Sequence, residues 1–172
     1  MGAETVIAVC AVVVAAASLA VSVSEARATR QHNRHSVRPI LQLHWGFPQG
    51  RRAGVRLINA GLGPAVIVSS TLVVDDEVIG VWNKVNVDRI RDDLSIRPSA
   101  VTFSETDVLA VGYEEYLLSV ANYEPQAHAE FKELISRRLS LVIRYESLYG
   151  GEDYQVTLSP SARGRDRSHP VT

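Results

Sequence analysis

Four groups of side chains in this chain have types or spacings that invite a chemical reading. His32 and His35 stand three apart, which on a helix places both imidazoles on one face. A zinc ion needs three or four ligands and no crowd of cations. Here Arg30, Arg34 and Arg38 surround the pair and the nearest acid is Glu25, so no metal ligand is assigned. Gly61-x-Gly63 follows a strand-like run and hints at a phosphate cradle. A dinucleotide loop needs a third glycine three positions on, with a helix behind it. Val66 and a β-branched run stand there instead, which marks a tight turn and no cofactor. The acidic groups Asp75-Asp76-Glu77, Asp92-Asp93 and Glu114-Glu115 offer paired carboxylates. Sequence neighbours on a strand point to opposite faces, however, so they do not form an acid–base pair. Cys10 is the single cysteine; it excludes an internal disulfide and lies in an apolar run, a poor setting for a thiolate. No Gly-x-Ser-x-Gly, P-loop or His-Glu-x-x-His string occurs. No catalytic, cofactor or metal residue is assigned, and the chain is not read as an enzyme.

The arginines are the most physical candidates. Residues 24–56 hold seven arginines and one acid, whereas residues 57–159 hold eight basic and sixteen acidic residues. The near-neutral total of -1 hides this asymmetry and shows no global field for nucleic acid. Arg27, Arg30, Arg34 and Arg38 are assigned to contact with anionic lipid, where each cation contributes about 1 kcal/mol.

That assignment follows from the segment before them. From Thr5 to Val23 the chain reads TVIAVCAVVVAAASLAVSV, without a charge. As a helix it measures roughly 28 Å, close to the ~30 Å hydrocarbon core of a bilayer. The segment 5–23 is therefore expected to be a transmembrane helix with the bilayer as its partner, and 24–37 a basic juxtamembrane linker. A cleaved signal peptide is disfavoured, because only the α-amino group precedes the apolar run and Glu4 opposes it. Arginines on the C-terminal flank alone place the remaining chain in the cytoplasm, behind a single-pass anchor in the cell membrane.

Residues 38–158 alternate in the manner of β-strands. Leu41, Leu43 and Trp45 interleave with Gln42 and His44; Val55, Leu57 and Asn59 with Arg56 and Ile58. Ala65–Val74 suits a long strand, Asp75-Asp76 a turn, and Glu77–Trp82 a returning strand. Val87, Ile90 and Leu94 have helical spacing within 83–94. Short extended pieces are expected at 101–103, 108–111 and 116–120. Pro125 suits the start of a second helix, with Ala127, Phe131, Leu134 and Ile135 on one face. Leu139–Tyr145 and Tyr154–Leu158 form a hairpin across Gly150-Gly151. Residues 159–172 lack an apolar period and read as a disordered tail.

The runs "LINAGLGPAVI" (Leu57–Ile67) and "IRYESLYGGEDYQV" (Ile143–Val156) resemble a pattern in uncharacterised bacterial proteins that join an N-terminal membrane helix to a small Ig-like β domain. A composition rich in Arg and Ala, with Lys84 and Lys132 as its only lysines, also resembles that of a high-GC bacterial genome. The resemblance implies fold and topology and assigns no activity. The expected fold class is mainly β: a transmembrane helix, then an antiparallel Ig-like β-sandwich with two short helices. The expected function is a membrane-anchored, non-catalytic interaction module with a protein partner. The competing reading is a small-ligand receptor or enzyme, which a deep pocket around His44, acidic side chains or Trp82 would mark.

Overall fold

The computed structural model describes residues 2–160 and, inside the N-terminal helix, the side chains of residues 2, 3, 7 and 11–26. The chain forms two compact units, Met1–Val37 and Arg38–Thr172. The expected tail beyond residue 160 lies outside the described residues.

The first unit is one α-helix, α1 (Ala3–Ser36). Alanine, leucine, glutamate, glutamine and arginine favour a helix intrinsically, so the polar segment after Val23 continues the helix begun by the apolar one. Ser18 and Ser24 donate their hydroxyls back to Val14 O and Val21 O, at 2.9 and 2.7 Å, within the helix. The expectation of a transmembrane helix over 5–23 is corrected here: among the described residues no helix is long and apolar enough to cross a membrane. The helix does not end where the apolar run ends: it continues through the arginine-bearing residues to Ser36. The side chains of Cys10, Arg27, Arg30, His32, Arg34 and His35 lie outside the described residues.

The second unit is mainly β. In chain order it contains β1 (Leu41–Gly46), β2 (Ala53–Asn59), β3 (Ala65–Val74), β4 (Glu77–Gly80), α2 (Lys84–Asp92), β5 (Ser99–Ala100), β6 (Val108–Leu109), β7 (Glu114–Val120), α3 (Ala129–Glu133), a π-helical turn (Leu134–Arg138), β8 (Leu139–Ser147) and β9 (Tyr154–Leu158). All pairings are antiparallel. One sheet has the order β1-β2-β7-β5; the other has β4-β3-β8-β9, with β6 also on β3. Val55 and Leu57 of the first sheet, Ile67, Leu72, Leu141 and Ile143 of the second, and Val87, Phe131 and Ile135 of the helices share one core. The architecture is sandwich-like.

Two bulges reset the alternation. On β3, Ile67 pairs with Tyr145 and Ser69 with Arg144, so Val68 is the extra residue. Ser70 thereby turns inward, where its hydroxyl accepts the Trp82 N–H at 2.9 Å. On β7, Leu118 pairs with Val55 and Tyr116 with Arg56, so Leu117 is extra and both leucines are buried. The helix expected over 83–94 shortens to α2 because Asn83 caps it, its side chain accepting Asn86 N–H at 2.9 Å.

The second helix departs from expectation more sharply. It starts at Ala129, and after Glu133 the turn widens so that Leu139 N–H reaches back to Leu134 O. The wider turn lets Leu134 and Ile135 both face the core. At its end, Arg138 grips Asp75 in a fork, Nε donating to Oδ1 at 2.8 Å and to Oδ2 at 3.1 Å and an NH2 group to Oδ2 at 2.6 Å. Those hydrogen bonds hold the Asp75 carboxyl below its ordinary value of 3.8. A depressed carboxylate stabilises the folded state above its unfolded pKa, and that contribution disappears as pH falls through the folded value. The wild type is therefore expected to exceed Arg138→Gln in urea midpoint at neutral pH, with the difference closing below about pH 4. A difference constant from pH 7 to pH 2 would contradict it.

The β3–β4 turn has φ of 52° at Asp75 and 65° at Asp76, the left-handed pair of a two-residue hairpin. Asp76→Gly removes a Cβ from that conformation. An increase in stability of about 0.5–1 kcal/mol is expected, measured by urea denaturation.

Candidate functional site

Several sequence candidates resolve into structural roles. Gly61 lies where a Cβ would stand 2.5 Å from Arg38 O and 2.3 Å from Ile40 N. Its loop hugs the entering chain, with Ala60 N–H donated to Ile40 O at 2.8 Å and Leu62 N–H to Arg38 O at 3.1 Å. Gly61-x-Gly63 is thus a close-approach turn. The carboxylates are separated: Asp75 faces Arg138, Asp92 faces Arg97, and Glu114 faces Arg56. Among the described residues no three His, Cys, Asp or Glu side chains gather as metal ligands. Trp82 is core, its Nε1–H donated to Val101 O at 2.9 Å. Of the four arginines assigned to lipid, Arg38 is described: it is exposed, with its guanidinium 4.7 Å from the Tyr154 ring centroid.

The outer face of the first sheet gathers the remaining functional side chains. Ladder register sets His44 of β1 beside Arg56 of β2, and Arg56 beside Tyr116 of β7. One row further along, Gln42, Ile58 and Glu114 stand side by side. Gln42 Oε1 lies 3.0 Å from His44 Nε2, and Glu114 pairs with Arg56. On the other side of the row Gly46 faces Gly54, and this pair presents bare backbone.

A depression lies beside this pair. It measures about 180 Å³ and is lined by His44, Trp45, Gly46, Pro48, Gly54, Arg56 and Tyr116. Gly54 is glycine by necessity: its φ is +149° and a Cβ would sit 1.9 Å from Leu118 O. Trp45 stays 40% exposed and is braced by Phe47, their centroids 5.6 Å apart. Arg52 and Arg56 both lie over the Tyr116 ring, 4.6 and 5.9 Å from its centroid. Such stacking holds a guanidinium at a surface without neutralising it. Arg52 Nε also donates to Ser119 Oγ at 3.0 Å.

Sequence alternation had placed His44 and Arg56 on outward positions of their strands. It did not reveal Tyr116 as the third member of the row, nor the facing glycines. The one local signal was Gly54 within an otherwise strand-like run, which suggests close backbone approach.

No protein-family model, curated protein or solved structure matches the chain.

Proposed function

We propose that the β domain is a non-catalytic interaction module that offers the outer face of its first sheet to a protein partner. The observation that carries this reading is a shallow, chemically dressed depression over a filled core. Its volume of about 180 Å³ falls below the roughly 300–1,000 Å³ of small-molecule clefts. Exposed tryptophan and arginine, by contrast, are the side chains that dominate protein interfaces. β1 also ends its sheet, with β2 as its ladder partner; its Leu41 N–H is donated to Tyr145 Oη at 3.1 Å, and the stretch beyond Leu41 can accept a further strand by main-chain hydrogen bonding.

A photo-crosslinking amino acid at Gln42 tests the reading against one at Thr157, an exposed position on the second sheet. A discrete heterologous adduct from Gln42, absent from Thr157, is the expected result. Equal adducts from both positions, or none from Gln42, would refute it.

A further inference from the structure

We propose that the depression between His44, Arg56 and the facing glycines receives a carboxylate side chain from an extended acidic segment of the protein partner. The inference rests on the interaction-module reading and adds the partner's chemistry.

Charge and shape support it together. The lining contains a guanidinium and an imidazole but no carboxylate. Arg51 and Arg52 lie at the same end of β2, both on the loop that joins β1 to β2. The nearest opposing acid is Glu114, which engages one terminal nitrogen of Arg56 from the neighbouring row. A guanidinium has five N–H donors in a planar fork, so an occupied terminal nitrogen leaves donors for a second carboxylate. His44 Nε2 is turned to Gln42, and the ring's other nitrogen is on its opposite side. Aromatic stacking by Tyr116 pre-positions Arg52 and Arg56, which reduces the ordering cost of binding.

The occupant is an extended segment because of where the depression sits. It opens beside an edge strand, and its floor is the backbone of Gly46 and Gly54. A strand laid along β1 would turn alternate side chains onto this face. The surrounding domain is mostly acidic: residues 57–159 carry sixteen acids against eight bases. The arginine-bearing face is therefore where an acidic segment meets attraction, and its binding should weaken with salt.

The test titrates the full chain with acetyl-Thr-Glu-Val-Glu-Thr-Glu-amide and with its all-glutamine counterpart. Trp45 fluorescence reports binding, against a constant background from buried Trp82. Saturable binding of the acidic peptide is expected. The glutamine peptide, and separately Arg56→Gln and Arg52→Gln, should each weaken it at least ~10-fold. Urea midpoints confirm that the two variants remain folded, and Lys84→Gln serves as a remote control. Equal affinity for both peptides, unchanged affinity in both arginine variants, or no binding up to millimolar peptide would overturn the proposal. In any of those cases a Gln42 crosslink would still stand for the broader reading, while loss of that crosslink would end both.

Discussion

Replacing Asn59 with alanine is expected to destabilise the β domain by about 3–5 kcal/mol. Asn59 is 1% exposed. Its Oδ1 accepts Ile40 N–H at 3.3 Å and Gly61 N–H at 3.1 Å. Its Nδ2 donates to Gly63 O at 2.9 Å, with Leu109 O and Ala110 O at 3.1 and 3.2 Å. One amide thus ties the entering chain, the β2–β3 loop and the β6–β7 connection together. Each buried backbone group left without a partner costs about 1–3 kcal/mol, and water can rescue only those it reaches. Domains of this size are stable by roughly 5–15 kcal/mol, so the loss removes a large share. Asn59→Asp should be at least as damaging, because a carboxylate has no hydrogens to give three carbonyls and brings a buried charge. Urea denaturation of the full chain measures both. A loss below about 1 kcal/mol for the alanine variant would show that these bonds are replaced by water.

Gly54→Ala is expected to cost about 3 kcal/mol or more and to loosen the β2–β7 ladder. Its Cβ would stand 1.9 Å from Leu118 O and 2.8 Å from Ser119 Cα, both backbone atoms of the neighbouring strand. Neither can move like a flexible side-chain tip, and the φ of +149° is itself hostile to a side chain. Gly112→Ala provides the contrast. Gly112 also has positive φ, +73°, but a Cβ there meets nothing within 4 Å. Only the backbone preference is lost at that site, about 1–2 kcal/mol. Paired urea curves should therefore separate the two, and hydrogen exchange should show lost protection at β2 and β7 for Gly54→Ala alone. Equal losses would mean that close approach contributes nothing beyond the dihedral.

The legible strands are those rich in β-branched residues or with regularly alternating side chains. Ala65–Val74 and Tyr154–Leu158 occur with the expected bounds, and the inward positions Leu139, Leu141, Ile143 and Tyr145 of β8 are buried. Asn59 was legible as an inward position of its strand, but its five partners come from residues 40, 61, 63, 109 and 110. The bulges at Val68 and Leu117 were not legible, because each depends on the register of a strand far away in the chain. The π-helical turn was hidden for a related reason: its extra residue answers to the burial of both Leu134 and Ile135. The apolar segment 5–23 was read from hydropathy alone. Hydropathy does not show where the helix stops, and α1 carries on through the arginine-bearing residues to Ser36.

The amino-acid order alone determined the local alternation, the turn residues and the crowding of arginines into residues 24–56. Each of these is set by side chains a few positions apart, through the two-residue period of a strand and the dihedral preferences of Gly, Asn and Asp. Tertiary structure alone decided that β2 lies against β7 and β3 against β8. That choice brought His44, Arg56 and Tyr116 into one row and set Gly46 against Gly54. Pairing between distant strands is selected by the joint burial of both faces, a property of the assembled core that no short stretch of chain contains.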